Sequence, residues 1–114
     1  MSHIYKILPR PLWQAAQAAG RFDGAGIDIA DGYIHFSTAA QAKATARLHF
    51  HGVEDLVVLA VESGALGEAL KWEPSRGGQL FPHLYGALDT AHVTAVTEAP
   101  LDSDGVPQLG ELAP

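Results

Sequence analysis

An unbroken apolar run, Leu56-Val57-Val58-Leu59-Ala60-Val61, constrains this chain more than any other feature. It has the length of a strand, is rich in β-branched residues and offers no polar side chain on either face. Such a strand belongs at the centre of a sheet that is covered on both sides. Two helical segments precede it. Pro11 suits a first helical turn, Leu12, Ala15, Ala16 and Ala19 form an apolar stripe with Trp13 at its edge, and Gly20 suits the stop. Thr38-Ala39-Ala40-Gln41 reads as a capping box for a second helix that runs to about Phe50 and buries Ala39, Ala42, Ala46 and Phe50. Further strands are expected at residues 3–8, 70–74, 80–85 and 92–97, with Pro82 marking an edge or a bulge.

Helices early and strands late define an α+β class rather than a repeated β-α alternation. The expectation is one compact domain with about six short strands, in a mostly antiparallel sheet, whole or split, and two main helices. Its bounds are 1–98, followed by an irregular tail over 99–114 that is acidic and contains proline. Residues 21–32, dominated by glycine and aspartate, read as a loop able to close over a site.

A second stretch, Asp31-Gly32-Tyr33-Ile34-His35-Phe36-Ser37-Thr38, carries the functional signal. Asp-Gly makes a turn, and alternation then puts Tyr33, His35 and Ser37 on one face, with Ile34 and Phe36 on the core side. His35 and Ser37 would stand roughly 6–7 Å apart, a span suited to two contacts on one small ligand. Phe81-Pro82-His83-Leu84-Tyr85-Gly86 repeats the pattern of a histidine among apolar residues, so His35, Ser37 and His83 are expected to line one cleft. His49-Phe50-His51 reads as a solvated helix end, its imidazoles about 200° apart.

Composition narrows the chemistry. There is no cysteine among the 114 residues, which excludes disulfides, thiolate zinc sites and a cysteine nucleophile. A formal charge of -6 with four dispersed arginines (Arg10, Arg21, Arg47 and Arg76) opposes binding to long nucleic acid. No run reaches membrane-spanning length, and the N-terminus shows no signal-peptide core, so a soluble cytoplasmic protein with no membrane partner is expected. A zinc site from His35, His83 and an acid lacks the usual ligand spacing, and no metal is expected.

Ile4-Tyr5-Lys6-Ile7, Trp13, the Asp31–Thr38 stretch, Asp55-Leu56-Val57, Leu70-Lys71-Trp72-Glu73 and Phe81–Gly86 together resemble the domain-of-unknown-function family 952, from about Ile4 to Val96. That family is similar to a compact relative of the ADP-ribosyltransferase fold, above all its RNA 2′-phosphotransferase branch. The resemblance implies an NAD or ADP-ribose pocket lined by His35-Phe36-Ser37, with His83 on a later strand where toxin-like transferases carry a glutamate. It implies His35, His83 and Glu73 as catalytic residues and Tyr33, Ser37, Thr38, Trp72 and Tyr85 as contacts to NAD, which would be a substrate. Breaking the nicotinamide–ribose bond develops positive charge on the ribose, so such a site needs hydrogen-bonding groups on its hydroxyls, an aromatic wall and a carboxylate. The alternative is a noncatalytic module that binds a small ligand or a protein partner on the same fold.

Overall fold

The computed structural model describes residues 2–114. The apolar run lies in β5 (Leu56–Glu62), between β1 (His3–Pro9) and β9 (Val93–Glu98). A two-residue strand, β4 (Ser37–Thr38), completes an antiparallel sheet of order β4-β1-β5-β9. Alternation splits β5 between two cores. Val57, Leu59 and Val61 pack with Ile4, Leu8, Trp13, Phe22, Ile34 and Phe36 on one side. Leu56 and Val58 pack with Tyr5, Ile7, Ala42 and Ala46 on the other. Both faces are covered, as a run without polar residues requires.

Helix α1 (Arg10–Ala19) covers the first face, and Gly20 closes it in the left-handed conformation. Its buried residues are Trp13 and Ala16, while Leu12, Ala15 and Ala19 are exposed. The expected stripe is therefore rotated: an indole offers far more area to bury than alanines do, so Trp13 takes the inward position. A five-residue helix, α2 (Ile27–Asp31), stands inside the segment read as loop. Helix α3 (Ala39–His49) covers the second face, opened by the Thr38–Gln41 capping box and buried through Ala42 and Ala46.

A second sheet has the order β3 (Ile34–His35), β7 (Leu80–Leu84), β6 (Leu70–Pro74). The stretch read as one strand thus divides at Phe36. Its first half pairs with β7 and its second half with β1, so it joins the two sheets. Pro82 lies in the middle strand of this sheet, neither at an edge nor at a bulge. Its carbonyl accepts from Phe36 N, and the reciprocal bond it cannot donate falls where β3 ends. A third pairing joins β2 (Arg21–Phe22) to β8 (Leu88–Asp89). Nine strands stand among the described residues because four are only two residues long, too short to register as alternation.

Segment 99–114 is irregular apart from a Leu101–Pro107 bridge, yet it is docked onto the domain. Ala99 and Leu109 enter the second core, Gly52 N bonds Gly105 O, and the Tyr5 hydroxyl donates to Ala113 O. No helix among the described residues is long and apolar enough to cross a membrane.

Candidate functional site

The β3–β7 ladder brings the two histidine motifs into register, His35 opposite His83 and Ile34 opposite Leu84. Cross-strand partners share a face, so both imidazoles emerge on the side away from Ile34 and Leu84, with ring centroids 5.3 Å apart. Tyr33 stacks on the His83 ring at 4.2 Å and tilts against those of His35 and Tyr85 at 4.6 and 5.1 Å. Alternation on β6 adds Glu73 to this face.

Each ring is held by a carboxylate at Nδ1, in different surroundings. For His83, which is 3% exposed, Nδ1 lies 2.9 Å from Glu73 Oε1, and the same oxygen accepts from the Tyr85 hydroxyl at 2.8 Å. A carboxylate accepts only, so Nδ1 carries a proton, and in the neutral ring Nε2, with no partner among the described residues, is the acceptor. The bonds from His83 and then Tyr85 hold the Glu73 carboxyl below its usual range, and the Tyr85 phenol is correspondingly raised.

For His35, Nδ1 lies 2.7 Å from Asp28 Oδ1 and Nε2 lies 2.9 Å from Asp31 Oδ2. Each nitrogen thus has a carboxylate oxygen within hydrogen-bond reach, and only a ring carrying both protons could donate to the two at once. Asp28 is the hub of this end. Its side chain is 1% exposed and accepts from Lys6 Nζ at 2.9 and 3.0 Å, from Ala25 N at 3.1 Å and from His35 N at 3.0 Å. Burial disfavours its charge most strongly, but Lys6 and the two His35 bonds together outweigh burial and hold the carboxyl below its ordinary value. Burial likewise draws Lys6 below the usual lysine value, against the pull of Asp28. Gly24 permits this packing: it sits at φ 101°, and a Cβ there would stand 2.9 Å from Asp28 Cβ.

Against the two imidazoles opens a cavity of about 410 Å³, also lined by Ser37, Thr45, Phe50, Arg76 and Phe81. Ser37, 5% exposed, places its hydroxyl 3.0 Å from that of Thr45 on α3. His35, Ser37 and His83 therefore line one cavity. Glu73, Tyr33 and Tyr85 stand behind the imidazoles and not among the lining residues. Two expected contacts lie apart. The Thr38 hydroxyl is occupied in capping α3, accepting from Gln41 N. Trp72 pairs with Pro82 and projects from the opposite face of the sheet to Glu73 and His83, 41% exposed. The aromatic walls are supplied instead by Phe50 and Phe81. Sequence reasoning missed Asp28, Lys6, Asp31, Thr45 and Arg76. The one available signal was Lys6, the sole Lys or Arg in an otherwise largely apolar strand.

The fold, with its paired histidine strands, defines a family. A profile described as "Protein of unknown function (DUF952)" matches residues 7–96, and the chain belongs to that family. It is similar to the Caulobacter crescentus protein CC0527, whose crystal structure is 56% identical with a TM-score of 0.94 over 96% of each chain. The solution NMR structure of CC0527 is likewise 56% identical, with a TM-score of 0.87 over 96% of this chain and 95% of that one. None of the curated proteins matches.

Proposed function

We propose that this protein binds NAD or an ADP-ribose-like nucleotide in the cavity beside His35 and His83, on a fold related to the ADP-ribosyltransferases. The observation that carries this reading is the Glu73–His83 pair. An imidazole that is buried, fixed in tautomer by a carboxylate and left with an acceptor nitrogen is suited to a ribose hydroxyl. A volume of about 410 Å³ lies within the range of small-molecule sites, and Phe50 and Phe81 offer apolar walls beside the hydroxyls of Ser37 and Thr45.

In the catalytic form of the proposal, the bond between nicotinamide nitrogen and ribose C1′ breaks and its electron pair leaves with nicotinamide. A water or acceptor hydroxyl then bonds C1′ and gives its proton to His83 Nε2, with Glu73 steadying the imidazolium. His35, locked between Asp28 and Asp31, has no nitrogen to offer the substrate and serves as a fixed wall of the site. One observation favours the noncatalytic alternative: no Asp or Glu stands among the described lining residues, so no carboxylate meets the developing ribose cation directly.

Calorimetric titration with NAD and with ADP-ribose tests the binding, and nicotinamide release tests the catalysis. Saturable binding that His83→Ala weakens while the variant stays folded is the expected result. Nicotinamide release lost in His83→Ala selects the enzyme, and binding without release selects the module. Absence of binding by either ligand at millimolar concentration overturns the reading.

A further inference from the structure

The cavity has a second end, around the tight Arg76–Gly78 turn between β6 and β7. The guanidinium of Arg76 lies 5.0 Å over the Phe81 ring, and its two terminal nitrogens each lie 3.4 Å from Thr45 Oγ1. Those contacts are long and use little of a group with five N–H donors. Among the described residues Arg76 has no carboxylate partner. By contrast Lys6, the other Lys or Arg in the lining, is spent on Asp28.

Among the described residues, the ionisable side chains lining the cavity apart from Tyr5 are Lys6, His35, His49, Arg76 and His83, with no carboxylate. Yet the chain carries 13 acidic residues against 7 Lys and Arg. Lys6, His35 and His83 are each matched by Asp28, Asp31 or Glu73 behind the lining, so Arg76 is the lining charge left to attract an anion into this concave, partly apolar site. The cation–π contact with Phe81 holds the guanidinium in place, so its donors are positioned before a ligand arrives. Thr45 touches the same group from the helix side, and Ser37 in turn bonds Thr45.

We propose that Arg76, positioned by Phe81 and Thr45, is the anchor of an anion subsite that takes the phosphate or pyrophosphate group of the ligand. This deepens the nucleotide reading and rests on it only for the identity of the rest of the ligand. A planar fork that matches two phosphate oxygens is the feature a lysine would not reproduce.

The probes are inorganic pyrophosphate, ADP-ribose and the phosphate-free nicotinamide riboside, titrated calorimetrically into wild type, Arg76→Ala, Arg76→Lys and Thr45→Val. Melting temperatures establish that each variant is folded. The expected result is pyrophosphate binding that weakens with added salt, falls about 10- to 100-fold in Arg76→Ala and recovers only in part in Arg76→Lys. Thr45→Val, which keeps the charge and loosens its placement, should fall between wild type and Arg76→Ala. Riboside binding should not respond to Arg76→Ala. Pyrophosphate binding that depends on Arg76, with no binding of ADP-ribose, upholds the anion subsite and removes the nucleotide reading. Equal affinity of wild type and Arg76→Ala for both pyrophosphate and ADP-ribose overturns the subsite, whether or not the nucleotide binds.

Discussion

His35 and His83 face each other across one ladder, each with a carboxylate at Nδ1, yet they are held by opposite means. The His35 carboxylate, Asp28, is almost wholly buried, tied to Lys6 and to two backbone amides, and the other ring nitrogen meets Asp31. The His83 carboxylate, Glu73, is 36% exposed and among the described residues bonds only His83 and the Tyr85 hydroxyl, while the ring it holds is buried and keeps Nε2 without a partner among them. One histidine is buttressed by a buried charge network and has no nitrogen to spare. Its neighbour is cheaply oriented and chemically available. Similar local sequences, an imidazole flanked by apolar residues, thus leave one ring engaged at both nitrogens and the other with a nitrogen open, according to what lies beneath them.

The largest expected effect breaks the comparison at its buried end. Asp28→Ala leaves the Lys6 ammonium, itself 12% exposed, without a counterion and frees two backbone amides. It should cost about 3–5 kcal/mol, read from urea denaturation. Glu73→Ala, at the exposed end, takes one solvent-open acceptor from His83 and should cost only a small part of that. Equal losses in the two variants would erase the distinction.

Acid titration sharpens the same contrast. The folded carboxyl of Asp28 lies below its unfolded value, so its ionised form adds stability above the unfolded carboxylate value of about 4. That stability is lost as the pH falls through the lower folded value. Melting temperature should therefore be level from pH 7 to about 5 and drop below about 4. Glu73 is shifted in the same direction but is open to solvent, so Glu73→Gln should leave the acid limb nearly as in wild type. A limb that flattens in Glu73→Gln would reverse the assignment of the buried charge.

On ligand affinity the order inverts. Glu73→Gln can donate to His83 Nδ1 and so release the fixed tautomer, and should weaken nucleotide binding about five- to tenfold at unchanged stability. The smallest effect belongs to Trp72→Ala, whose side chain lies on the far face of β6 and should leave affinity unaltered. A loss of binding there would move the site to the other side of the sheet.

What the sequence made legible was local or periodic. The unbroken run at 56–61, the Thr38–Gln41 box and the facing of His35 against Phe36 all follow from spacing within a few residues. Alternation over Lys71-Trp72-Glu73 also holds a warning, since adjacent strand residues cannot both face one pocket, and Trp72 and Glu73 do part. Asp28 was hidden because its value lies in Lys6, 22 residues away, and because Gly24, Ala25 and Gly26 make its surroundings read as loop. Arg76 was hidden likewise in a glycine turn, its meaning fixed only when the hairpin lays it over Phe81 beside α3. The division of one strand between two sheets at Phe36 is a tertiary choice with no signature in hydrophobic period.

The central claim, a nucleotide site against His35 and His83, is tested most directly by NMR titration of the amide-labelled protein with ADP-ribose. The account predicts saturable shifts at Ser37, Thr45, Arg76, Phe81 and His83, with little change around a smaller cavity of about 230 Å³ lined by Thr94, Thr97 and Leu112. Shifts confined to Thr94, Thr97 and Leu112, or none at millimolar ligand, would contradict it.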